Sequence, residues 1–189
     1  MVTKKSCKII AIDPEKCTGC HCCEMGCSIE HFDKCGPNYS RIRVQEFRDI
    51  NTFIPIICQL CEDAACISHC PVNARIRLDN GAVKTDEDRC IRCHSCLFSC
   101  KFGAITINPE TNFPMSCDLC TDNPDGPCCV RVCEMQKALR YVDENEYTTE
   151  KSRAWAKTLK DNYGPVQESE DEEKFDSTGY GFSDSEELK

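Results

Sequence analysis

Sixteen cysteines fall into four groups that share one pattern, and thiolates at this spacing are metal ligands before they are anything else. The first group is Cys17-x2-Cys20-x2-Cys23-x3-Cys27. The third, Cys90-x2-Cys93-x2-Cys96-x3-Cys100, repeats it step for step. The second, Cys58-x2-Cys61-x4-Cys66-x3-Cys70, and the fourth, Cys117-x2-Cys120-x8-Cys129-x3-Cys133, keep the first and last steps and lengthen the middle one. Three chemistries use so many thiols. A disulfide scaffold requires export, and the opening Met1 to Ile10 has two lysines but no apolar run and no twin arginine, so a cytoplasmic setting with reduced thiols is expected. Zinc is served by two separated C-x2-C pairs and gives no reason for a third and fourth cysteine at x2 and x3. A cubane iron–sulfur site does: three thiolates on a loop wrap one cubane, while the fourth, at the start of a short helix, points away to ligate another. Clusters then come in pairs, and four repeats give four [4Fe–4S] clusters in two pairs. Spacing alone leaves open whether consecutive or nested groups are partners.

Four cysteines stand outside the pattern: Cys7, Cys22, Cys35 and Cys128. Cys129 rather than Cys128, and Cys23 rather than Cys22, restore the steps of their groups, and Cys7 and Cys35 are read as buried thiols. Proline follows the last cysteine only at Cys70-Pro71; Ser28, Lys101 and Glu134 stand there in the other groups. Each such residue has a backbone N–H that proline lacks, a donor able to tune a potential through sulfur. His21 and His94 lie inside the loops, where they could shift potential with pH, whereas His31 and His69 have only surface or packing roles. Met25, Phe98 and Phe102 are expected to exclude water near the sites.

The elements that must hold these loops are short, an α+β arrangement of two bacterial-ferredoxin-like modules. Strands are expected at residues 8–12, 40–45, 53–57 and 104–107, from runs of β-branched and aromatic residues. Residues 75–78 and 82–85 alternate around Asp79-Asn80-Gly81 as a hairpin. Short helices fit 64–70, 95–100 and 128–133. The apolar core is thin, so clusters must supply much of the folding free energy and the metal-free chain should be largely unfolded. The expected divisions are a four-cluster domain over 1–145, a C-terminal helix over 146–164 with Trp155 and Leu159 packed on the body, and an acidic tail over 165–189. Composition by itself fits a solubilising tail, while Phe175, Tyr180 and Phe182 would serve as anchors along a partner subunit.

The formal charge is −9, of which the segment from Val166 to Lys189, with nine acids against two lysines, carries −7. Each cluster held by four thiolates adds about −2 when oxidised. Arg75, Arg77, Lys84, Arg89, Arg92 and Lys101 lie near cysteine groups in sequence and are candidates to balance it. An acidic chain is a poor nucleic-acid binder, no run approaches the roughly 18 to 20 apolar residues of a membrane span, and no glycine-rich nucleotide motif occurs. No residues of its own suggest catalysis.

The order of the four groups resembles the four-cluster electron-transfer subunits of anaerobic oxidoreductases, over Ile9 to Tyr141. The opening Cys17-Thr18-Gly19-Cys20-His21-Cys22-Cys23-Glu24-Met25-Gly26-Cys27 is similar to the partners of carbon monoxide dehydrogenase and to the small subunits of tungsten aldehyde oxidoreductase and benzoyl-coenzyme A reductase. The resemblance implies a non-catalytic electron carrier between a catalytic subunit, favoured as a tungsten or molybdenum enzyme, and a further redox partner; a free polyferredoxin, or a partner of carbon monoxide dehydrogenase or a formate-linked hydrogenase, is the alternative. It also implies nested pairing. Cys17, Cys20 and Cys23 would then share a cluster with Cys133, and Cys117, Cys120 and Cys129 with Cys27. Cys58, Cys61 and Cys66 would join Cys100, and Cys90, Cys93 and Cys96 would join Cys70.

Overall fold

A computed structural model describes residues 8–133 and 137–163 of the chain, which fall into two compact units, Met1–Glu150 and Lys151–Lys189. In the first, β1 (Lys8–Ile12) pairs antiparallel with β8 (Leu139–Asp143), Lys8 opposite Asp143 and Ile12 opposite Leu139, so the start and end of the unit close on each other. Between them lie three hairpins: β2 (Arg43–Phe47) with β3 (Thr52–Ile56), β4 (Arg75–Arg77) with β5 (Val83–Thr85), and β6 (Thr106–Ile107) with β7 (Pro114–Met115). The helices are α1 (Cys22–Phe32), α2 (Ala65–Ser68), α3 (Ser95–Ser99) and α4 (Cys128–Arg131), with α5 (Glu144–Tyr163) following β8.

Helices pack as α1 on α4 and α2 on α3, the first with the fourth and the second with the third. This nested order is the architecture that positions the sites. A buried apolar cluster joins Ile10, Ile42, Val44, Ile57, Leu119 and Leu139 to Cys23, Cys27, Cys117 and Cys129. Four of its eleven buried members are cysteines, so the core is continuous with the thiol sets and is as thin in hydrocarbon as the sequence implies.

Several expectations shift. The strand expected at 40–45 begins at Arg43, because Ser40 is fully buried and its hydroxyl turns back to donate to the Ile42 carbonyl at 2.7 Å. The strand expected at 104–107 spans only Thr106–Ile107, and the three short helices are cut to four or five residues. α1 and β8 were not foreseen from the sequence. α5 starts two residues before the expected 146, since the Asp143 carboxylate accepts the N–H of Asn145 at 2.9 Å and caps it, with Glu144 and Glu146 in the first turn favouring the positive end of the helix. Along α5, Trp155 and Leu159 are 64% and 37% exposed. The tail over 165–189 and Cys7 lie outside the described residues.

Candidate metal centres

Each cysteine loop repeats one backbone feature. The residue just before the second cysteine of its group, namely Gly19, Leu60, Arg92 and Leu119, has a left-handed φ of 69°, 50°, 56° and 62° in turn. In the two groups with the x2-x2-x3 spacing, the residue after the second cysteine, His21 or His94, is left-handed too, at 59° and 60°. For residues other than glycine such a conformation costs about 1–3 kcal/mol and persists only where the surroundings demand it. Alternation of right- and left-handed residues makes consecutive N–H groups converge into a concavity that suits an anion, including iron–sulfur clusters.

Around these loops the thiols gather in sets. Cys17, Cys20, Cys23 and the distant Cys133 line one cavity, together with Leu139. Cys70, Cys90, Cys93 and Cys96 line a second. Cys27 lies with Cys117, Cys120 and Cys129, close enough that each would raise the cost of ionising another. Cys58, Cys61 and Cys66 form the fourth gathering. Cys100, expected to complete it, follows α3 and is half-buried. In every set three thiols come from one loop, and in three sets a fourth arrives from a distant segment. A set of four thiols of this kind fits a cubane.

Burial pushes the Cys23 thiol up to about 12 and the Cys120 thiol up to about 11. At these two positions a neutral thiol is the resting form in the bare polypeptide, and binding of a cationic iron core must drive proton release. Hydrogen bonds to sulfur are already in place: the Arg41 N–H donates to Cys27 Sγ at 3.3 Å, Ala74 N–H to Cys70 Sγ at 3.1 Å and Leu119 N–H to Cys117 Sγ at 3.4 Å. For Cys27 the donor is therefore not the amide freed by the absent proline. Ser28, which occupies that position, is fully buried within α1. Its hydroxyl donates to the Lys34 carbonyl at 2.6 Å and accepts the Gly36 N–H at 3.1 Å, holding the turn after the helix.

Polar side chains behind the loops divide by role. His21 bridges Glu24 at 3.0 Å and Glu46 at 2.8 Å, and the Glu24 hydrogen bond, against partial burial, raises its pKa. Glu24 is itself buried and accepts the Val44 N–H at 2.7 Å, tying the first loop to β2. His31, read from sequence as a surface or packing residue, instead stands 3.5 Å from Cys120 Sγ and 3.5 Å from Asp118, with burial lowering its pKa. Asp118 also holds Arg41. Burial works against the Asp118 anion, but the Arg41 charge and hydrogen bond outweigh it and keep the carboxyl below its usual range. Of the six cations read as counter-charges, Arg75 is 2% exposed while Arg77, Lys84, Arg89, Arg92 and Lys101 are on the surface. Phe98, expected to shield a site, is 85% exposed, and Phe102 is 42% exposed; the five-residue α3 turns Cys96 inward and Phe98 outward. Cys22 lines the first cavity as a fifth thiol. Cys128 lies against α1, where its sulfur would be 3.2 Å from a Cβ placed on Gly26. Cys35 is exposed, not buried as its sequence suggests.

Comparison with known proteins gives a consistent picture. The profile of a 4Fe-4S dicluster domain matches residues 50–144. The polyferredoxin-like subunit of aliphatic sulfonate oxidoreductase from Pyrococcus furiosus is 40% identical over 140 residues, 72% of this chain and 78% of the relative. The thiosulfate reductase electron transfer subunit PhsB of Salmonella typhi is 34% identical over 148 residues, 71% of this chain and 76% of the relative. Among solved structures, the active site complex BamBC of benzoyl coenzyme A reductase with 1,5-dienoyl-CoA matches at 26% identity and a TM-score of 0.46, covering 75% of this chain and 78% of that one. No helix among the described residues is long and apolar enough to cross a membrane.

Proposed function

Since the chain belongs to the 4Fe-4S dicluster family and is an electron-transfer iron–sulfur subunit carrying four [4Fe–4S] clusters, we propose that it passes single electrons between a catalytic oxidoreductase subunit and a further redox partner. The observation that carries this reading is the convergence of Cys133 on Cys17, Cys20 and Cys23 across more than a hundred residues. One cluster takes those four thiols and its mate takes Cys27, Cys117, Cys120 and Cys129. The inner pair takes Cys58, Cys61, Cys66 and Cys100, and Cys70, Cys90, Cys93 and Cys96. The bound clusters supply one-electron storage. The protein's part is to place them in sequence, to donate N–H groups to their thiolates, and to exclude water by burying Cys23, Cys27, Cys96, Cys117, Cys120 and Cys129.

The chain itself is non-catalytic in this reading, and its catalytic partner is a tungsten or molybdenum enzyme. The relatives named as subunits of an aliphatic sulfonate oxidoreductase and of a thiosulfate reductase support a permanent oxidoreductase partner, as does the exposure of Trp155. A thiol-rich carrier requires a reducing compartment, for which the cytoplasm is proposed. The test is elemental analysis of the complex purified without oxygen by a tag on this chain. About 16 Fe per copy, four for each cubane, with molybdenum or tungsten and a stoichiometric partner is expected. The same iron with no partner would make the chain a free carrier, and zinc in place of iron would overturn the assignment.

A further inference from the structure

Arg75 opens β4, five residues after Cys70, and its side chain turns inward: the residue is 2% exposed. Its hydrogen bonds go to two neutral hydroxyls, from Nη1 to Thr85 Oγ1 at 2.7 Å and from Nη2 to Ser116 Oγ at 2.8 Å. Neither hydroxyl is free to turn away. Thr85 spends its own proton on the Pro114 carbonyl at 2.6 Å and Ser116 spends its proton on the Val83 carbonyl at 2.8 Å, so both oxygens are held as acceptors toward the guanidinium. The Nε is buried and has no partner, and no carboxylate among the described residues pairs with this cation. Arg41, the other arginine with an unpartnered buried Nε, differs in having Asp118 as its counter-ion.

A buried guanidinium without an anion is expensive, by several kcal/mol for the charge alone. A fold that aims two hydroxyls at such a group and supplies no carboxylate leaves the negative charge to something else. Arg75 lines the cavity of Cys70, Cys90, Cys93 and Cys96. β4, which Arg75 opens, also packs against α2, which carries Cys66 of the second group.

We propose that Arg75 is the fixed counter-charge of the inner pair of clusters, its free Nε–H directed to their sulfur and its charge raising both their reduction potentials above those of the outer pair. The inference rests on the four-cluster reading. Reduction adds a negative charge to each cluster, and a cation in a dry site favours the more negative state; at the outer sites the corresponding cation, Arg41, is already neutralised by Asp118. Electrons entering the chain therefore settle on the inner pair first.

The test is a redox titration, followed by electron paramagnetic resonance, of the full chain in its native complex, unaltered and as Arg75→Met and Arg75→Lys. With Arg75→Met the equilibrium constant for reduction falls about tenfold at two of the four clusters, about 59 mV for a one-electron couple, and is unchanged at the other two. With Arg75→Lys, which keeps the charge, the fall is less than about threefold at the same two. No shift in Arg75→Met, the same shift at all four clusters, or an equal shift in both variants would overturn the inference while iron content remained intact. If Arg75→Met loses iron, retention of iron and potentials in Arg75→Lys sustains the counter-charge role, and loss in both refutes it. Zinc in the unaltered chain would bring down the four-cluster reading itself, a result distinguishable from all of these.

Discussion

Gly19 offers a measurement of how tightly the first loop is built. It sits between Cys17 and Cys20 with φ at 69°, and a Cβ there would lie 2.6 and 2.8 Å from Cε1 and Cγ of Phe53 on β3. Alanine at such a φ costs about 1–2 kcal/mol from the clash of Cβ with its own backbone. Intrusion into the ring adds about 1–3 kcal/mol, since Phe53 is packed against the core and must shift to admit it. Together Gly19→Ala should cost about 2–5 kcal/mol, a large share of what a small domain has to spare. Gly103 provides the control. It follows Cys100 with φ at 61°, and nothing lies within 4 Å of its would-be Cβ, so Gly103→Ala should incur the backbone part alone. The difference, about 1–3 kcal/mol, corresponds to a roughly 5- to 150-fold difference in equilibrium opening of the loop. Iron per chain and the rate of cluster bleaching are to be measured after anaerobic purification of both variants. Gly19→Ala should fall from about 16 toward about 12 Fe and bleach faster, while Gly103→Ala keeps its full complement. Equal iron and equal bleaching in the two would refute the claim that Phe53 abuts the first loop.

The remaining predictions concern partners that only the fold brings together. Cys133→Ser should perturb the spectrum of the cluster held by the first group and leave that of the third group untouched; a change at the third group's cluster instead would mean consecutive pairing. Asp118→Asn leaves the Arg41 guanidinium buried without its carboxylate and should destabilise the chain by about 3–5 kcal/mol in chemical denaturation, and adding Arg41→Met should recover part of the loss. Ser28→Ala strands a buried carbonyl at Lys34 and the Gly36 amide, a cost of about 1–3 kcal/mol, read as a lower denaturation midpoint with four clusters still bound.

The cysteine spacing is local information and made the loops legible. The β4–β5 hairpin was legible too, since Asp79-Asn80-Gly81 between alternating residues carries its own turn chemistry, with Gly81 at φ 86°. α1 was hidden by the very motif that drew attention: Cys22 to Cys27 reads as ligand loop, yet Cys23 and Cys27 lie one helical turn apart on the buried face. β8 has the alternation of a strand, but its partner β1 lies about 130 residues away, beyond any local pattern. Left-handed geometry could be suspected at Gly19 and at no other loop, because leucine and arginine do not advertise it. Burial separated Arg75 from five other cations of equal claim through contacts to Thr85 and Ser116, and His31 gained its place beside Cys120 through an approach across 89 residues. Such long-range selections follow from packing, to which composition and periodicity are blind.

The closure of β1 on β8 also orders events in time. A chain emerging from the ribosome presents Cys17, Cys20 and Cys23 first, yet the cavity they line includes Cys133, and the strand that seals the unit ends at Asp143. The groups that gather around α2 and α3 have all emerged by Cys100. At about 5–20 residues per second, the 33 residues from Cys100 to Cys133 take roughly 2–7 s to follow. During that interval the inner loops have all their cysteines while the first-made loop has three thiols and lacks the fourth, so on the nested pairing the earliest part of the chain to be synthesised would be among the last to be metallated.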